Sequence, residues 1–166
     1  MVKLGDIVFV QTKGICEVCN ITKNAFVGAD KSKEYYVLKP IDTSNNMMVY
    51  FPVDTKVNIR KLSSKSKAEN IYKNFSELDD VVVDNEDERF KIYAQIVQGG
   101  ELENWAKLLK TMLIRKSKSN KKQFNFQEQK YINTMLSCVV SELAYILGKD
   151  KQEIKSSLCE QLSVSE

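Results

Sequence analysis

A chain of 166 residues, 43% hydrophobic and 28% charged, suits one compact domain or two small ones and can bury a core without disulfides. It contains no run of about 18 apolar residues that could cross a bilayer, and its first ten residues lack the charged leader and small-residue cleavage site of a signal peptide, so a cytoplasmic protein with no membrane partner is expected. The net charge is only +3, yet between Lys107 and Lys130 eight basic residues stand against one acid, Glu128, a local charge of +7.

Chemistry-bearing motifs are few. The chain has no histidine, which removes the commonest general base and metal ligand, and it carries neither a glycine-rich phosphate loop nor a GxSxG elbow. Cys16 and Cys19 have CxxC spacing, but the surrounding ICEVCNIT alternates like a strand, on which residues three apart point to opposite faces; no second ligand pair accompanies them. No enzyme activity, cofactor, metal or small-molecule substrate is therefore expected.

From Val2 to about Lys61 the apolar pattern has a period of two or comes in short bursts rich in Val, Ile, Tyr and Phe. It predicts strands over Asp6–Val10, Ile15–Thr22, Glu34–Lys39, Met47–Phe51 and Val57–Ile59. Turn chemistry separates them: Lys13-Gly14, then 27–33 with Gly28 and Asp30, then 40–46 with Asp42, Ser44 and two asparagines. Five short strands in about 60 residues imply a bent antiparallel sheet closing on itself, an SH3- or Tudor-like barrel. Such a barrel docks partners through an edge strand or exposed aromatics. Tyr35, Tyr36, Tyr50 and Phe51 are the candidates, some facing out and the rest in the core.

The polar stretch LSSKS at 62–66 marks the shift to helical periodicity, giving a barrel over 1–62 and a helical domain of four or five helices over 63–166, an α+β protein. Ser66 and Glu69 have capping-box spacing and open a short helix to about Phe75. Asn85 and the acids Glu86, Asp87 and Glu88 occupy the first turn of the next helix, where negative charge complements the dipole; Gly99-Gly100 ends it. Glu101–Arg115 carries Leu102, Trp105, Leu108, Leu109, Met112 and Leu113 on one stripe, with Glu103, Lys107 and Lys110 on the other side. Asn125 and Glu128 form a second capping box opening the longest helix, which Gly148 ends, and Asp150 with Glu153 opens the last. The +7 segment lies on the helix pair 101–147 and its connection. It is either the face that meets a polyanion such as a nucleic acid backbone or a solvated helix face with a mobile loop.

The order of these parts resembles the bacterial CarD/CdnL transcription regulators, whose N-terminal domain is shared with transcription-repair coupling factors. The residues carrying the resemblance are Lys3-Leu4-Gly5-Asp6-Ile7-Val8, Gly14, Glu34-Tyr35-Tyr36-Val37-Leu38-Lys39 and Val49-Tyr50-Phe51-Pro52, then Arg89-Phe90-Lys91, Gly99-Gly100 and Ser141-Glu142-Leu143-Ala144. The resemblance implies a regulator that binds the RNA polymerase β subunit through its barrel, sets its helical domain on double-stranded promoter DNA and biases the enzyme toward the open complex; a monomer is expected.

Carried over by position, the polymerase side comprises Lys23, Tyr36, Tyr50, Phe51 and Pro52, with Tyr50 and Lys23 standing where relatives have arginines. Glu86 stands where relatives have a DNA-wedging tryptophan. DNA contact is therefore expected from backbone electrostatics, through Arg89, Lys91, Arg115, Lys116, Lys118, Lys121, Lys122 and Lys130, largely without sequence preference. The alternative is an adaptor that binds polymerase without functional DNA contact.

Overall fold

The computed structural model describes residues 2–42, 47–83, 85–119 and 125–164 and divides into two compact units, Met1–Leu62 and Ser63–Glu166. The first unit is an antiparallel sheet of five strands, β1 (Ile7–Val10), β2 (Gly14–Thr22), β3 (Tyr35–Pro40), β4 (Val49–Pro52) and β5 (Ile59–Lys61), in the order β4-β3-β2-β1-β5. Gly14, at φ +75°, starts β2 in the left-handed region, where a side chain would be strained; this fits the expected tight turn.

Alternation puts Val8, Val10, Cys16, Val18 and Leu38 on one face as a fully buried cluster, with Ile21, Tyr36, Val49, Phe51, Val57 and Ile59 packed against it. Residues from β4 and β5 thus share one core. The sheet is nonetheless not closed: β4 and β5 are its two edges. Side chains from both edges pack against the same buried cluster, so the sheet is barrel-like without a ladder between β4 and β5 among the described residues.

Register shifts in β2 between Val18 and Asn20 against β3. This bulge at Cys19 lets both Val18 and Ile21 point into the core, although they are three apart. Cys16 is buried in that core and Cys19 half-buried, and both are free thiols. Burial pushes the Cys16 thiol up to about 11, so it stays protonated at neutral pH and behaves as a small hydrophobe.

The second unit has five helices: α1 (Lys65–Lys73), α2 (Arg89–Gly99), α3 (Leu102–Lys118), α4 (Phe126–Leu147) and α5 (Lys151–Gln161), with 3-10 turns over Phe75–Glu77 and Glu86–Glu88. The first cap differs from expectation. Ser64, not Ser66, caps α1, its hydroxyl accepting from the Lys67 amide at 3.3 Å. Ala68 and Ile71 form the buried face of α1.

The Asn125–Glu128 capping box forms with both bonds, at 2.9 and 3.0 Å, and Asp150 caps α5 through the Gln152 and Glu153 amides. Gly100 and Gly148 end α2 and α4 at φ +74° and +64°, a conformation that costs a residue with a Cβ about 1 kcal/mol.

The core of this unit is the α3 stripe: Leu102, Trp105, Leu108, Leu109 and Met112 are at most 1% exposed, packed with Met135, Val139 and Leu143 of α4. The Trp105 indole N–H donates to the carbonyls of Ile96 and Val97 at 3.2 and 3.3 Å, tying the last turn of α2 to α3. Glu142, wholly buried, accepts from the Ser63 amide at 3.0 Å, anchoring the start of the unit to α4. No single helix among the described residues is long and apolar enough to cross a membrane.

Candidate polymerase and DNA surfaces

On the sheet unit, pairing of Tyr36 with Phe51 and of Val37 with Tyr50 sorts the aromatics by face. Tyr36 and Phe51 belong to the core side, packed against the buried cluster, so neither is the open aromatic surface that sequence alone allowed. Tyr50 and Pro52 lie on the opposite face, with Tyr50 exposed and Pro52 half-buried. Phe26, from the loop after β2, meets Tyr50 at 5.3 Å and Tyr35 at 5.5 Å between ring centroids.

Sequence reading missed Phe26, because a lone aromatic in a polar loop carries no periodicity. Lys23 is exposed beside Lys33, which pairs with Asp54 at 3.1 Å, around a shallow hollow also lined by Glu34 and Val53. Edge strand β4, Tyr50, Phe26 and Lys23 therefore cluster at one border of the sheet.

On the helical unit, the eight cations of 107–130 separate into groups. Lys107 bonds Asp79 and Glu103 at 3.1 and 3.2 Å. Lys110, expected on the solvent side of α3, is buried, bonding Asp80 at 2.9 Å and the Leu78 carbonyl; its apolar stem is buried while the ammonium fastens the 78–81 connection. Thr111 completes that clasp by accepting from the Val81 amide at 2.9 Å. These lysines are structural.

Arg115 is also engaged. Its Nε donates to Glu128 at 3.0 Å and its two terminal nitrogens reach the two oxygens of Glu86 at 3.2 Å each. Arg89 is buried, bonding Glu128 at 3.4 Å and Glu86 as well. Two guanidiniums and two carboxylates thus join the N-terminal ends of α2 and α4 to the C-terminal end of α3. Beside them Phe90, Tyr93 and Tyr131 pack as an aromatic trio with centroids 5.8 to 6.2 Å apart. Burial raises the Tyr93 phenol despite the lowering pull of Arg89 and Arg115.

The remaining cations are open. Lys91, Lys116, Lys118 and Lys130 are exposed, and none has a carboxylate partner among the described residues. Lys116 and Lys118 lie in the last turn of α3. Lys130 borders a groove of about 480 Å³ with Phe126, Tyr131 and Val97, in which Phe126 is 87% exposed. Lys121 and Lys122 lie outside the described residues. The candidate DNA residues thus comprise an exposed lysine set and a paired arginine set.

Two family models match the chain. The one described as CarD-like/TRCF RID domain matches residues 2–63, and the one described as CarD, C-terminal domain, matches residues 70–159. Together with the sheet unit and the helical unit they define an RNA polymerase-interacting transcription factor. The chain belongs to the CarD family. No curated protein matches it.

Proposed function

We propose that this protein is a cytoplasmic, monomeric regulator that binds the RNA polymerase β subunit through its sheet unit and touches promoter DNA through its helical unit, altering the lifetime of the open complex. The observation that carries the reading is the succession of the two CarD-family domains, the second bearing Lys91, Lys116, Lys118 and Lys130 on its surface. Lysines that neutralise phosphates supply affinity without reading bases. The cluster of Tyr50, Phe26 and Lys23 beside edge strand β4 supports polymerase docking there, by backbone pairing and aromatic contact.

The test uses the full chain with RNA polymerase and a promoter fragment. Duplex binding is expected to weaken steeply with salt, and promoter-complex lifetime is expected to change when the protein is added. Tyr50→Asp should reduce polymerase association and that lifetime effect together. Absence of duplex binding at low salt, with and without polymerase, would leave the adaptor reading in its place.

A further inference from the structure

The two arginines on the helical unit have unequal partners. Glu128 is 1% exposed, fixed by its capping role and by bonds from both guanidiniums; Glu86 is 62% exposed on a 3-10 turn. Glu128 offsets one positive charge and Glu86 the other, so withdrawing Glu86 would leave one positive charge over two forks. Arg115 presents both terminal nitrogens to Glu86 at 3.2 Å, a geometry that accepts a phosphate as readily as a carboxylate.

A second observation points the same way. Arg89 is nine-tenths buried, and its Nε lies buried without a hydrogen-bond partner, so the pair of carboxylates does not use up its donors. Lys116 and Lys118 lie with Arg115 on the last turn of α3, while Asp87 and Glu88 share the 3-10 turn of Glu86.

We propose that Arg115 and Arg89 form a phosphate-binding site for the DNA backbone and that Glu86 is its built-in competitor, occupying the forks until a phosphodiester displaces it. The site rests on the DNA-contact reading and adds to it a self-masking step. Displacement costs little at Glu86, which gains hydration as it swings out, while Glu128 stays and keeps both guanidiniums in place. Binding is thereby weakened for an isolated phosphate and restored where a duplex brings several phosphates to the neighbouring lysines at once.

The experiment measures affinity of the full chain for a labelled 25-base-pair duplex by fluorescence anisotropy across salt concentrations, with thermal melting confirming the fold of each variant. Glu86→Gln is expected to tighten binding by about threefold to tenfold at low salt and to steepen the log–log salt slope by about one. Adding Arg115→Gln should remove the gain. Glu86→Asp, too short to span both forks, should tighten in the same direction by less and serves if Glu86→Gln fails to fold. Unchanged or weaker binding by a folded Glu86 variant, with wild type binding in a salt-dependent way, overturns the site and leaves the DNA-contact reading intact. No binding by wild type or variants at low salt removes both.

Discussion

Arg115 and Lys116 are adjacent in sequence and opposite in circumstance. Arg115 stands among two carboxylates and a second guanidinium, whereas Lys116 is exposed and has no carboxylate partner among the described residues. The same contrast separates Arg89 from Lys91 on α2. Here the guanidiniums of Arg89 and Arg115, with several fixed donors each, hold helix ends together through shared carboxylates, the ammoniums of Lys107 and Lys110 fasten the 78–81 connection, and Lys91, Lys116, Lys118 and Lys130 are exposed. A cluster of cations in sequence is therefore an upper limit on the charge a protein can offer, and the tertiary structure decides how much is left over.

Removing the shared acid should break that contrast most severely. Glu128→Ala leaves Arg89 buried with one partner fewer and deletes half of a capping box, and a loss of about 3–5 kcal/mol is expected, read as the shift in urea-unfolding free energy. A loss below ~1 kcal/mol would mean that the arginines do not depend on it.

Lys110 extends the comparison to a buried lysine. Lys110→Ala should cost about 1–3 kcal/mol because it unpairs the Leu78 carbonyl and leaves a gap. Lys110→Met, which keeps the stem, should cost measurably less in the same urea titrations.

Exposed lysines should behave in the opposite way. Changing Lys116, Lys118 and Lys130 together to Gln is expected to alter stability by no more than ~0.5 kcal/mol. It should flatten the salt slope of duplex binding by up to about 0.9 for each phosphate left without its lysine. A folded triple variant with an unchanged slope would show that these side chains meet no backbone phosphate.

The smallest effect belongs to the surface pair of Glu103 with Lys107. Bonds from Lys107 and then Lys67 hold the Glu103 carboxyl below its ordinary value of 4.5. Its contribution is thus present above that value and lost as pH falls through the lower, folded one. Glu103→Gln should remove up to ~0.5 kcal/mol of stability at pH 6 and progressively less as pH falls below the ordinary carboxylate value, seen as a flatter acid limb in unfolding midpoints against pH.

Much of this arrangement was legible because it is local. The Asn125–Glu128 box, the glycine stops at 100 and 148 and the α3 stripe each depend on residues within a few turns, and spacing alone found them. What escaped depends on distance along the chain: Glu86 reaches Arg115 across 29 residues, and Lys110 reaches Leu78 across 32. No periodicity encodes such meetings. Alternation correctly implied that some strand aromatics face inward, but not which, because a one-residue shift in register exchanges Tyr36 for Tyr35. Phe26 and Ser64 were missed for a related reason, since a loop aromatic and one of several neighbouring serines acquire their roles from what packs beside them.

Trp105 has a use beyond packing. As the sole tryptophan in the chain, with its indole proton held by two carbonyls at the end of α2, it is an intrinsic optical reporter placed at a helix junction. Undocking of that last turn would change its emission with no dye attached, so the event could be timed by stopped-flow while polymerase or DNA is added.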